Sequence, residues 1–108
     1  MKLQIGVIGQ SGPISEAVAQ AAEAVGRHIA KAGAVLLTGG RDGVMAAASR
    51  GARQAGGLTV GILPGCDPEQ GNPYLDVAVT TGLDFEWRSL VLVHACDALI
   101  AIAGGNGT

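Results

Sequence analysis

The chain has 108 residues, of which 48% are hydrophobic, 15% charged and only 3% aromatic. That length suits one small domain over residues 1–108, with a core built from Ala, Val, Leu and Ile. The formal net charge of −2 lacks the basic footprint of a nucleic-acid binder, and no apolar run approaches a membrane span.

The start, Met1-Lys2-Leu3-Gln4-Ile5, shows no signal-peptide pattern and leads straight into a strand over Leu3 to Ile8, which points to the cytoplasm. A helix is expected from Ile14 to Ala32. Ile14, Val18, Ala21, Ala22, Val25 and Ile29 share one face at helical spacing, and Glu16, Gln20, Glu23, Arg27 and Lys31 share the other. Pro13 suits its first turn and Gly33 the position just past its end. The unit then repeats. Ala34 to Thr38 reads as a strand, Gly39 to Gly43 as its exit loop, and Val44 to Ala55 as a small-residue helix closed by Gly56-Gly57. Leu58 to Leu63 is a third strand, followed by a long loop from Pro64 to Tyr74. Val77 to Thr80 is a short fourth strand, Phe85 to Cys96 a third helix and Ala98 to Ala103 a fifth strand. Apolar strands alternating with helices predict a Rossmann-like α/β/α domain, whose parallel sheet of about five strands is covered on both faces.

Glycine-rich loops stand at three strand ends: Gly9-Gln10-Ser11-Gly12, Gly39-Gly40-Arg41-Asp42-Gly43 running into Val44-Met45, and Gly104-Gly105-Asn106-Gly107 before Thr108. In an open α/β sheet, ligands bind beyond the carboxyl ends of the strands. Glycine lets a phosphate approach the backbone, and the helix start favours the anion. Convergence of these loops predicts a small phosphate-bearing ligand; glycines serving only as turns and caps are the alternative. The P-loop pattern GxxxxGK[ST] is absent. Gly6, Gly9 and Gly12 do not make GxGxxG, and the second strand ends on Thr38-Gly39 rather than on an acid, so a mononucleotide or similar monophosphate fits better than NAD.

Other residues have plainer readings. Ser11 could donate to a phosphate or cap the first helix, and Asp42 reads as a cap for the second helix. Arg41 either contacts an anion or is solvated. Arg88 on spacing alone would be a solvated charge. Trp87 and Tyr74 read as packing, His28 as structural and His94 as complementing a helix C-terminus. Cys66 and Cys96, with no CxxC spacing or nearby His pair, read as free thiols rather than a disulfide or metal site.

Gly39-Gly40-Arg41-Asp42-Gly43-Val44-Met45 resembles the GGxxGxM element of the "lonely guy" (LOG), or "lysine decarboxylase-like", Rossmann proteins of the SLOG superfamily. Gly104-Gly105-Asn106-Gly107-Thr108 resembles the front of their PGGxGTxxE element, with Ala103 where that motif has Pro. Arg88 precedes Asp97-Ala98-Leu99 as the family's arginine precedes its strand start. Gly57 to Gly65, with Asn72-Pro73-Tyr74, is most similar to the branch of the molybdenum cofactor carrier proteins. The resemblance implies binding or carriage of a mononucleotide or of the molybdenum cofactor, a pterin monophosphate. Gly9 to Gly12, Gly39 to Arg41, Gly43 to Met45 and Gly104 to Thr108 would be its contacts. The resemblance equally implies a phosphoribohydrolase that cleaves nucleoside 5′-monophosphates, with Arg88 catalytic and a motif glutamate that would fall beyond Thr108. A third implication is an interaction module related to DNA-processing proteins. Relative to the family, the domain is expected to be incomplete on its C-terminal side, and the apolar run Ala98 to Ala103 then predicts a homo-oligomer or a piece of a longer protein.

Overall fold

Val35–Thr38 lies at the centre of a five-stranded sheet whose neighbouring strands all pair in parallel. The computed structural model describes residues 1–103. In chain order the elements are β1 (Gln4–Gly9), α1 (Glu16–Lys31), β2 (Val35–Thr38), α2 (Val44–Gln54), β3 (Thr59–Leu63), a short 3₁₀ turn (Pro68–Gln70), β4 (Val77–Thr80), α3 (Phe85–Ala95) and β5 (Ala98–Ile102). The strands run in the order β4-β3-β2-β1-β5. The chain steps outward from β1 to β4, then returns across the sheet to place β5 on β1's other side. The strand order therefore reverses between β1 and β5, where open α/β sheets place their ligands.

Right-handed crossovers fix which face each helix takes. The outward steps put α1 and α2 on one face, and the return step puts α3 on the other. Alternation along β2 shows the consequence. Leu36 packs with Val7, Ala22, Ile29, Val44, Ala48 and Ala52 under α1 and α2, whereas Leu37 packs with Ile62 and Leu92 under α3. The α1–α2 contact is close because small residues face each other. A Cβ at Gly26 would strike the carbonyl of Ala48, and one at Gly51 the carbonyl of Glu23.

Register at the sheet's margins is held by two aspartates. Asp97 accepts from Gln4 N at 2.8 Å while its own N–H donates to Gln4 O, which locks β5 beside β1. Asp76 accepts from Thr59 N at 2.9 Å and donates its N–H to Thr59 Oγ1, setting β4 beside β3.

Two expectations are corrected. The first helix starts at Glu16, not Ile14, because Ser15 is its cap: the Ser15 hydroxyl accepts from Val18 N at 3.2 Å. Pro13 therefore precedes the helix, and Ser11 does not cap it. Nor is the sheet covered evenly. Among the described residues β4 and β5 are edge strands, and Val77, Val79, Leu99 and Ile100 remain exposed.

Candidate functional site

The carboxyl ends of β1 and β2 open into a cavity of about 420 Å³, within the range of about 300–1,000 Å³ common for small-molecule sites. Val7, Ile8 and Gly9 of β1, with Ser11 and Gly12, form one wall. Gly39, Arg41, Asp42 and Met45 form the second. The third is one face of α3: Phe85, Arg88, Ser89 and Leu92, spaced i, i+3, i+4, i+7.

Arg88 is the least expected of these groups. The residue is only 6% exposed, yet it sits on a helix that leaves Trp87 and Leu90 in solvent. Nη1 donates to the carbonyls of Gly39 at 2.6 Å and Ile62 at 3.2 Å, at the carboxyl ends of β2 and β3. Nε has no hydrogen-bond partner among the described residues. Arg27 and Arg50 pair with Glu23, and Arg53 with Asp76. No carboxylate reaches ion-pair distance of Arg88 or Arg41 among the described residues. Desolvation by burial, and secondarily the charge of Arg41, lower the Arg88 pKa from its ordinary value. The guanidinium nevertheless stays charged at neutral pH. A buried charge without a counterion is costly.

Gly39 makes that placement possible. A Cβ there would overlap Arg88 Nη1. The loop after β2 is held from two sides. Asp42 Oδ1 accepts from Gly12 N at 2.9 Å, and Val44 N donates to Gln10 O at 3.0 Å, which joins the first and second glycine loops. Asn72 N donates to Gly40 O, and Asn72 Nδ2 donates to Arg41 O at 2.9 Å, so the long loop after β3 supports the same turn from behind. Gly43 has φ +66 and is packed against Gln10 and Gly12, a position open to glycine alone.

The structure sorts the residues singled out in the sequence. Gly9, Ser11, Gly12, Gly39, Arg41, Met45 and Arg88 converge on the cavity. Gln10, Gly40 and Gly43 shape its walls through their backbone, and Val44 is fully buried in the core beneath. Asp42 ties two loops together instead of capping α2, whose N-cap Gly43 has no side chain to offer. Arg88 is buried rather than solvated. Trp87 and Tyr74 do not line the cavity. Gly104, Gly105, Asn106, Gly107 and Thr108 lie outside the described residues. Sequence reading passed over Phe85, Ser89 and Leu92 as site residues; their common helical face with Arg88 was the available signal.

Among the described residues no group of His, Cys, Asp and Glu is arranged to hold a metal ion, and no helix is long and apolar enough to cross a membrane.

Comparison with known proteins agrees with this architecture. The family model described as the SLOG cluster4 family matches residues 2–108. An uncharacterized protein of Archaeoglobus fulgidus is 44% identical over 109 residues, covering 100% of this chain and 70% of that protein. The molybdenum cofactor binding protein of the phototrophic bacterium Rippkaea orientalis is 41% identical with a TM-score of 0.91, over 99% of this chain and 66% of that one. The molybdenum cofactor carrier protein of Chlamydomonas reinhardtii is 37% identical with a TM-score of 0.87, again over 99% and 66%. The chain thus spans 66% of the length of these two solved relatives. By the match over nearly its whole length, the chain belongs to the SLOG cluster4 family.

Proposed function

We propose that this chain binds a small phosphate-bearing ligand in the cavity above β1 and β2, and that Arg88 is the anchor for the phosphate. The observation that carries this reading is buried Arg88, which lines the cavity with Nε unpartnered and no carboxylate at ion-pair distance among the described residues. Gly9, Ser11 and Gly12 line the adjoining wall, and Met45 marks the first turn of α2 there. A helix start of this kind favours a negative group. The solved relatives named for molybdenum cofactor binding and carriage favour that cofactor, a pterin monophosphate, over a mononucleotide.

Holding is favoured over hydrolysis. Asp42 is the sole carboxylate among the described cavity-lining residues, and its Oδ1 is engaged by Gly12 N. A group so committed is poorly placed to support an oxocarbenium-like charge or to activate water. Cover for β5, by another copy or by a further part of a longer protein, is also proposed, because among the described residues β5 is an edge strand with Leu99 and Ile100 exposed.

The test is calorimetric titration with anaerobically released molybdenum cofactor, 5′-AMP and inorganic phosphate. Saturable binding of the cofactor is expected, weakened about tenfold or more in Arg88→Met, since a hydrogen-bonded charge contributes about 1.5–3 kcal/mol. Wild-type affinity in Arg88→Met contradicts the proposal, and release of free adenine from 5′-AMP contradicts its preference for holding.

A further inference from the structure

Phe85 is the first residue of α3; it lines the cavity, and the residue is 57% exposed. Arg88 follows it by one helical turn on the same face. Arg41 approaches from the loop after β2. The guanidinium carbon of Arg88 lies 5.4 Å from the ring centroid, and that of Arg41 lies 5.8 Å from it. All three side chains line the cavity.

Two like charges gathered at one ring repel each other, and no carboxylate reaches ion-pair distance of either among the described residues. Asp42 is committed to Gly12 N, and Asp84 caps α3 by accepting from Trp87 N at 3.0 Å. The carbonyls of Gly39 and Ile62 anchor Arg88, and the ring, whose negative face attracts cations, is the group shared by both guanidinium groups. The arrangement has a chemical complement. A phosphate monoester carries about −1.5 to −2 charge near pH 7 and offers three acceptor oxygens, whereas a diester carries a single charge. We propose that Phe85 is a positioning residue that holds Arg41 and Arg88 together as a two-arginine clamp, and that the clamp selects a doubly charged phosphate monoester over a singly charged diester. The proposal rests on the phosphate-binding reading above, pairs Arg41 with Arg88 in it, and extends it to Phe85, which sequence reading passed over.

The test uses phenyl phosphate and methyl phenyl phosphate as probes, titrated at pH 8 and low salt, with thermal melts confirming the fold of each variant. Wild-type protein is expected to favour the monoester about tenfold or more, because charge-assisted contacts to a second arginine are lost with the diester. Phe85→Leu keeps the apolar bulk and removes the ring, and its preference is expected to fall roughly fivefold, the scale of a partly desolvated cation–π contact. Arg41→Gln should fall similarly, the double variant should fall no further than Arg41→Gln, and Phe85→Tyr should restore the wild-type preference. A Phe85→Leu preference equal to wild type, or a Phe85→Tyr preference as low as that of Phe85→Leu, overturns the clamp. If Arg88→Met loses the monoester while Phe85→Leu does not, the clamp falls and the phosphate-binding reading stands. Absence of saturable binding of either probe by wild-type protein overturns both.

Discussion

The two faces of the sheet are built differently. Under α1 and α2, the core is closed by small residues: Ala22, Ala48 and Ala52 are almost fully buried, and Gly26 and Gly51 let the two helix backbones touch. Val7, Leu36 and Val44 complete it with at most 1% exposure. Under α3 the apolar cluster is smaller, with Leu37, Ile62 and Leu92 at its centre. On α3 itself Trp87, Leu90, Val91 and Val93 remain exposed, while the buried position one turn into the helix is occupied by an arginine. A helix placed for stability would bury an apolar residue there and expose the charge. The contrast places the tighter core on the first face, and the proposed ligand anchor on the second. The glycine loops join them, through Asp42 on Gly12 and through the space Gly39 leaves for Arg88.

Breaking the first face should be the most damaging change. In Gly51→Val the new side chain would strike the Glu23 carbonyl, and a loss of about 3 kcal/mol is expected, at the upper end of overpacking costs. A fall in melting temperature of roughly 10 °C or more would register it. The paired truncations Leu36→Ala and Leu92→Ala compare the faces directly by urea unfolding. Leu36→Ala should cost about 3–5 kcal/mol and Leu92→Ala about 2–3 kcal/mol, because a residue bordering an open cavity leaves less new void. Equal losses would remove the distinction between the faces.

Gly39→Ala sharpens the comparison from the site's side. The added Cβ displaces Arg88 Nη1, so phosphate affinity should drop about tenfold while stability moves by less than about 1 kcal/mol. A melting temperature lowered in step with affinity would mean that Arg88 is instead part of the scaffold. The smallest effect concerns the thiols. Cys66 is exposed, whereas Cys96 packs against the cluster beneath α3. Burial first, and the neighbouring Asp97 charge second, push the Cys96 thiol above its usual range. Because the thiolate is the reactive form, iodoacetamide at pH 8 should modify Cys66 well before Cys96 by intact mass.

Much of the fold was legible because it rests on local pattern. Apolar runs bounded by glycines mark the strands, and the Ile14–Ile29 stripe marks the helix that packs through Ala22 and Ile29. The strand order was not legible, since it depends on which crossover turns back. The start of α1 was misplaced because Pro13 and Ser15 are both plausible punctuation, and only the bond from Val18 N to the Ser15 hydroxyl decides between them. Asp42 was misread for a related reason: its partner, Gly12, is close in space and far in sequence. Arg88 stood out only through its motif resemblance, because nothing local says that an arginine between Trp87 and Ser89 turns inward. Phe85, Ser89 and Leu92 become visible once Arg88 is placed, since helical spacing puts them on its face. The exposure of Leu99 and Ile100 on β5, an edge strand among the described residues, matches the reading of Ala98 to Ala103 as an apolar run in need of cover.

The most direct test of the central claim, that Arg88 is a buried charge awaiting an anion, is the melting temperature of wild-type protein and Arg88→Met in rising inorganic phosphate at constant ionic strength. Ligand-free Arg88→Met should melt at or slightly above wild type, because it no longer buries an unpaired charge. Phosphate should then raise the wild-type melting temperature in a saturable manner through binding to the folded state, and leave the variant nearly unmoved. Parallel rises in both proteins, as general exclusion of phosphate from the surface would produce, would contradict it.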